Sequence, residues 1–453
     1  MRFDRNKPSG EAGASLTSAA RILCALTLAA CFAGGALAQD WRDRLPGFQG
    51  SIHERQSNEA LRRSEREQIR EALSGRMMSE MAITAPLLSP QTIAGLRAAI
   101  DRYQAIVLHG GWPALPDGPA LRPGDSGDRV SILRHRLAMT GDLRVQGGSP
   151  WQFDRYLEEA VAHFQARHGL RVTGFVDRRT QTALNVPATA RLRQLQVNMA
   201  RIADLEPVTK ADRYVLVNIP NFELQAVEKG TLALSSAVVV GKPDRESPVV
   251  SAKIIELNFY PFWRVPDSIA AKDLIPQLRK DPSYFDREHF SVLKTWGTPP
   301  LDVSRIDWQS PEVVNYKFRQ DPGPWNALGV VRINMPNVHT VYLHDTPLKQ
   351  LFGQSSRAFS SGCVRVERVL DLGAWLLSGE PDWPAERVRN AAHQGLSIDV
   401  KLKKQVPVHF VYVTAFARED GLAIFRPDIY RKDGAADMLA DDDETPQDPS
   451  ITP

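Results

Sequence analysis

Three stretches decide the fold class: Tyr214-Val215-Leu216-Val217-Asn218-Ile219, Glu223-Leu224-Gln225-Ala226-Val227, and Leu232-Ala233-Leu234-Ser235-Ser236-Ala237-Val238-Val239-Val240. Branched and apolar side chains dominate them in the way of half-buried or buried strands, and Lys229-Gly230 supplies a hairpin turn between the second and third. The same signal continues at Ile254–Tyr260 and returns at Val338–Leu343, Leu396–Leu402, Val408–Ala415 and Leu422–Phe425. The series predicts a mostly antiparallel β domain over about residues 210–430.

Residues 261–337 interrupt that series over a length far beyond an ordinary connection. They carry Trp263, Trp296, Trp308 and Trp325, four of the nine tryptophans, with Tyr284, Phe285, Phe290 and Tyr316. So many large side chains predict a folded insertion. Its place just before the strand that bears His344 suggests a lid over a site, and a purely structural flap is the alternative.

Upstream the pattern is helical. Within residues 39–110, read as a scaffold, Ile93, Leu96, Ile100, Tyr103 and Val107 recur at helical spacing. Residues 111–121, rich in Gly and Pro, read as a linker. Residues 121–187 then form a compact helical unit, with apolar stripes at Val130, Leu133 and Leu137 and at Ala160, Val161, Phe164 and Leu170, and a short third helix at Asp177–Leu184. The acidic segment 433–453 reads as disordered. The chain is thus expected to be multidomain α+β.

Composition bounds the function. With 453 residues, 24% charged side chains and a mean hydropathy of −0.30, the chain is neither a polytopic membrane protein nor wholly disordered. A formal net charge of +3, reduced further without the first 38 residues, argues against recognition of nucleic acid through its phosphates. Basic residues to Arg21, an apolar run Ile22–Ala36 and the small Ala36-Leu37-Ala38 read as a secretory signal peptide, which implies a periplasmic protein. An uncleaved anchor, or lipidation of Cys31 in Leu28-Ala29-Ala30-Cys31, are the alternatives. Cleavage after Ala38 would remove Cys24 and Cys31 and leave Cys363 alone.

Cys363 sits in Ser360-Ser361-Gly362-Cys363-Val364-Arg365-Val366, and His344 precedes it in Tyr342-Leu343-His344-Asp345-Thr346-Pro347. A cysteine attacks as thiolate, and an imidazole is the usual acceptor of its proton. Arg365 adds positive potential that would lower the thiol pKa. Small residues before the cysteine allow backbone N–H groups to approach a developing oxyanion. His109, His135, His163 and His168 lack ligand spacing, so no metal is expected. Gly353-Gln354-Ser355-Ser356 lacks the second glycine of a serine-hydrolase elbow.

Two resemblances sharpen this reading. Pro123-Gly124-Asp125-Ser126-Gly127, Ala160-Val161-Ala162-His163-Phe164-Gln165, His168-Gly169-Leu170, Thr173-Gly174 and Thr180-Gln181-Thr182-Ala183-Leu184-Asn185 resemble the three-helix peptidoglycan-binding module of cell-wall enzymes. The strings around His344 and Cys363 resemble the active-site motif of L,D-transpeptidases, cysteine enzymes that cross-link peptidoglycan; many members have histidine where this chain has Ser361, and the large periplasmic ones have serine.

The resemblance implies Cys363 as nucleophile, His344 as general base and then acid, and the backbone carbonyl of Asp345 as the group that orients His344. It implies the Gly362 and Cys363 amides as an oxyanion hole, Tyr342 as a weaker contributor, and Arg365 on the thiolate or on a substrate carboxylate. Ser360 and Ser361 are expected to contact substrate. The implied reaction is 3→3 cross-linking of tetrapeptide stems through a thioester with release of D-alanine, without cofactor. Other cell-wall synthases would be partners and a carbapenem a covalent inhibitor. An L,D-carboxypeptidase or cysteine peptidase, or an idle wall-binding protein, are the rival readings.

Overall fold

The computed structural model describes residues 61, 64, 67–81, 84–145 and 147–434. The expected signal peptide, Cys31, residues 39–60 and the acidic segment beyond Gly434 lie outside the described residues.

Helices occupy residues 67–80 and then Pro90–Leu108, Asp128–Met139, Arg155–Arg167, Arg178–Asn185 and Ala188–Asp204. Their starts are written in the sequence: Ser89, Asp154 and Asp177 each accept a backbone N–H three residues on, and Pro90 occupies a first-turn position where no N–H is needed. The helical unit closes on Val130, Leu133, Leu137, Phe153, Leu157, Val161, Phe164 and Leu184. The expected linker is strapped down: Trp112 Nε1 donates to the Val186 carbonyl at 3.0 Å, and the Leu115 amide donates to Asn185 Oδ1 at 2.8 Å.

The strands are β1 (Arg213–Asn218), β2 (Glu223–Glu228), β3 (Thr231–Gly241), β4 (Val250–Phe259), β5 (Trp263–Arg264), β6 (Phe290–Leu293), β7 (Lys317–Gln320), β8 (Val331–Asn334), β9 (Leu343–His344), β10 (Ala358–Ser360), β11 (Val364–Val366), β12 (Ile398–Val411), β13 (Ala415–Ala417) and β14 (Ala423–Phe425). The main sheet runs β10-β3-β11-β9-β8-β4-β12-β1-β2, and β2 also pairs with β3, so the sheet returns on itself. It is mostly antiparallel, with parallel pairs β1–β12, β9–β11 and β3–β10. β1 reads as unbroken apolar sequence because both faces are covered: Val215 and Val217 enter one core with Leu257, Ile333 and Leu343, while Tyr214 and Leu216 enter another with Leu96, Leu195 and Phe416.

Several expected boundaries move. The two strands predicted over residues 396–415 are one long strand, β12, whose register against β4 shifts between Lys401 and Val406. Most of the predicted strand Val338–Leu343 is a loop, in which Asn337 Nδ2 donates to the Val341 carbonyl at 2.7 Å and Thr340 has a φ of 56°. The insertion has its own β5-β7-β6 sheet and a core that includes Trp263, Leu274, Phe285, Phe290, Trp308 and Phe318. It ends earlier than residue 337, because β8 belongs to the main sheet. Asp433, expected to open a disordered tail, is buried, accepting from Thr414 Oγ1 and from Arg201 Nη1, both at 2.6 Å.

Candidate active site

The site is set by strand register. β9 and β11 run parallel with Leu343 opposite Val364 and His344 opposite Arg365. Alternation sends Leu343, Val364 and Val366 into the core and leaves His344 and Arg365 on the other face. One step back along the same ladder, the Val364 amide donates to the Tyr342 carbonyl at 3.0 Å, which brings Cys363 beside Tyr342 and diagonal to His344. On the other side of β9, Arg332 of β8 pairs with His344, Asn258 of β4 with Arg332, and Asp399 of β12 with Asn258. A polar row therefore crosses the sheet through the imidazole.

Hydrogen bonds lock that row. Asn258 Oδ1 accepts from Arg332 Nε at 3.0 Å, and Asn258 Nδ2 donates to Glu256 and Asp399, each at 2.6 Å. The Arg332 guanidinium lies 5.4 Å from the Tyr342 ring centroid, and the Tyr342 and His344 rings meet edge to face at 5.7 Å.

The turn that carries the nucleophile is braced from within. Gly362 has a φ of 114°, a conformation L side chains rarely adopt. Its N–H donates to Ser360 Oγ at 3.2 Å, and the Ser360 hydroxyl donates to the Cys363 carbonyl. Ser247 Oγ donates to the Gly362 carbonyl at 2.8 Å, and Ser361 Oγ accepts from Arg245 at 3.0 Å. The same Arg245 guanidinium holds both carboxylate oxygens of Asp273, in the insertion. A second contact from the insertion comes from Trp263, whose indole N–H lies at the Tyr342 hydroxyl.

Electrostatics decide the resting protonation. Although Cys363 keeps part of its surface open, burial of its surroundings pushes the thiol up to about 11. Hydrogen-bonding groups of Tyr342 and the charges of Arg365 and Arg332 pull the other way without prevailing. Burial, then Arg365 and Arg332, push the His344 imidazole down to about 3, opposed by the backbone of Asp345. Burial above all, and then Cys363, keep the Tyr342 phenol protonated well beyond its ordinary range. At neutral pH the resting pair is thiol and neutral imidazole, a base already free to accept a proton.

The expected residues thus come together at Cys363, His344, Tyr342 and Arg365, and four assignments change. The Gly362 amide donates to Ser360 Oγ, inside the turn. Ser360 is buried and Ser361 is held by Arg245, so both shape the turn from behind. The Asp345 backbone lies at the imidazole, yet Nδ1 makes no hydrogen bond of ordinary geometry among the described residues. The Asp345 carboxylate instead accepts from the Val330 amide at 3.0 Å and from Lys349. Arg332, Asn258 and Arg245 were not singled out by sequence, and Trp263 was read only as part of the insertion, because long-range pairing and side-chain contacts bring them to the site. Among the described residues no cluster of His, Cys, Asp and Glu is arranged to hold a metal.

Residues 212–387 match the family model of the L,D-transpeptidase catalytic domain, and residues 126–184 match that of the "Putative peptidoglycan binding domain". Residues 212–387 are therefore similar to an L,D-transpeptidase catalytic domain. A protein of Haemophilus influenzae named "Putative L,D-transpeptidase" is 37% identical over 220 residues, 48% of this chain and 44% of that relative. The chain therefore spans less than half the length of that curated relative. Among solved structures, an L,D-transpeptidase from Stackebrandtia nassauensis is 14% identical, covering 66% of this chain and 96% of that one, with a TM-score of 0.25. L,D-transpeptidase 3 from Mycobacterium tuberculosis is 13% identical, covering 44% and 60%, with a TM-score of 0.22. Within the L,D-transpeptidase domain, the matched span holds Cys363 and His344 and also Arg245, Asp273 and the rest of the insertion.

Proposed function

We propose that this protein forms peptidoglycan cross-links by acyl transfer through Cys363. His344 takes the thiol proton as the sulfur attacks the carbonyl of the third residue of a tetrapeptide stem. The new C–S bond forms, the amide C–N bond breaks, and His344 returns the proton to the departing D-alanine amine. Attack by the amine of a second stem then breaks the thioester, yields a 3→3 link and regenerates the thiol. The observation that carries this reading is the register that sets Cys363 beside Tyr342 with His344 next on the same face.

The charge balance fits an anionic donor. Arg332 and Arg365 oppose imidazolium formation, and a stem carboxylate near them offsets that field while the proton moves. Tyr342, protonated and aimed at the sulfur, serves the thiolate and then the oxyanion in place of Gly362. The insertion, held to the nucleophile turn through Arg245 and Asp273, shields the thioester from water. The wall substrate and the leader expected over residues 1–38 support a periplasmic reaction, in which other cell-wall synthases would supply the stems and a carbapenem would acylate Cys363.

Incubation of the protein with a disaccharide tetrapeptide tests this reading. A cross-linked dimer and free D-alanine are expected. Tripeptide without dimer would assign a carboxypeptidase, and unchanged substrate would leave a wall-binding protein.

A further inference from the structure

Residues 427–433 lie beyond the span that matches the catalytic-domain family model, yet they are fastened to the β domain along their length. Asp428 accepts from the Tyr412 hydroxyl at 2.6 Å and from the Lys432 and Asp433 amides at 2.8 and 2.7 Å. Asp433 is anchored in turn to Thr414 and Arg201. Tyr430 is buried between these points, its amide donating to the Tyr412 hydroxyl at 2.8 Å and its ring stacked on that of Tyr412 at 5.6 Å.

The Tyr430 hydroxyl closes the loop that follows β3. It donates to the Gly241 carbonyl at 2.6 Å and accepts from the Ser247 amide at 3.1 Å. Ser247 Oγ accepts from the Gly241 amide at 2.9 Å while donating to the Gly362 carbonyl. The loop is folded so tightly that a Cβ at Gly241 would fall 2.1 Å from the Arg245 carbonyl oxygen. Both Ser247, which braces Gly362, and Arg245, which braces Ser361, start from this loop. An ion pair of Lys432 with Glu246 at 2.7 Å ties the same segment to the same loop a second time. Burial pushes the Tyr430 phenol up to about 12, so it remains a donor at neutral pH.

We propose that Tyr430 is a positioning residue for Cys363: its hydroxyl holds residues 241–247 in the shape from which Ser247 and Arg245 fix the nucleophile turn beside Tyr342 and His344. The inference rests on acyl transfer through Cys363 and adds where the alignment of that sulfur is set. Without the hydroxyl, the buried Ser247 amide and the Gly241 carbonyl each lose that partner, and the loop relaxes where both braces begin. A small displacement of a nucleophile is enough to slow attack strongly.

Tyr430→Phe, which keeps the ring and its stacking, tests this. Carbapenem acylation of Cys363, followed by intact mass, should slow at least ~10-fold. Iodoacetamide alkylation should instead quicken at pH 7.5, its pH midpoint moving down toward that of an ordinary thiol, because a loosened turn buries the sulfur less. Ser247→Ala should reproduce both changes, and the double variant should add little to either single one, since both act through one loop. Tyr103→Phe deletes another buried tyrosine hydroxyl, one that accepts from Arg167 at 3.4 Å, and should leave acylation and alkylation at the parent values whatever it does to thermal stability. An unchanged acylation rate or an unchanged alkylation midpoint in Tyr430→Phe overturns the proposal, as does equal slowing of acylation in Tyr103→Phe. A parent chain that takes up no carbapenem would strike the acyl-transfer reading, and the alkylation midpoint would still decide this one.

Discussion

Arg365 stands directly across the parallel ladder from His344, and Arg332 faces the same imidazole from the other side. Two cations flanking a buried ring, on top of burial itself, explain why its pKa falls to about 3. Arg332→Gln should therefore move the His344 titration upward, as read by NMR of the labelled imidazole. A titration that stays in place would mean that burial alone sets the ring's charge. The sign for stability follows: the ordinary His value is near 6.5, so the ring's contribution is complete above that pH and is lost as pH falls toward 3. Thermal stability of the parent should drop from pH 7 to pH 5, because the unfolded ring gains its proton across that window and the folded ring does not.

Cys363 is expected to be a sluggish thiol in the free protein. A pKa near 11 against an ordinary value of 9.0 leaves roughly 100-fold less thiolate at neutral pH. Alkylation by iodoacetamide should be slow at pH 7.5 and keep rising beyond pH 9. A plateau below pH 8 would instead reveal a preformed thiolate–imidazolium pair. Tyr342→Phe, which deletes the hydroxyl donor to sulfur, should slow alkylation further at each pH.

Gly362→Ala should cost about 1–3 kcal/mol of stability, because the φ of 114° is unsuited to any residue with a Cβ. The nearest atoms to such a Cβ are at ordinary contact distance, so the penalty is conformational and not a clash. Gly353→Ala, with open space around it and no positive φ, serves as the control and should be close to neutral in chemical denaturation. Equal stabilities of the two variants would remove the argument.

Arg245 joins the insertion to the nucleophile turn through Asp273 and Ser361. Asp273→Asn and Arg245→Ala should each raise hydrolysis of the acyl-enzyme relative to transfer, by about 3–10-fold if the bridge contributes roughly 1 kcal/mol. The double variant should add little to either single change, since both break one connection. The ratio of tripeptide to cross-linked dimer reads the effect, and an unaltered ratio would dissociate the insertion from protection of the thioester.

Much of this site was legible before the fold was known, for a definable reason. Cys363 and His344 lie in local strings whose chemistry and small neighbours mark them, and the apolar runs of β1 to β4 mark the sheet. What escaped was long-range. Arg332 and Asn258 enter only through pairing of β8 with β9 and β4, and β8, β10 and β11 are three or four residues long, too short to show a period. Positive potential beside Cys363 was foreseen from Arg365, whereas the burial that outweighs it is a property of packing and not of spacing. Asp433 misled because acidic composition does not disclose that Arg201 and Thr414 await it.

The central claim is a covalent bond between Cys363 and wall peptide. Rapid quenching of the protein with a disaccharide tetrapeptide, followed by intact-mass spectrometry, reads it directly. The account predicts a gain equal to the disaccharide tripeptide acyl group, localised to Cys363 and absent from Cys363→Ala. Cross-linked product without that adduct in the parent chain, or the same adduct in Cys363→Ala, would contradict it.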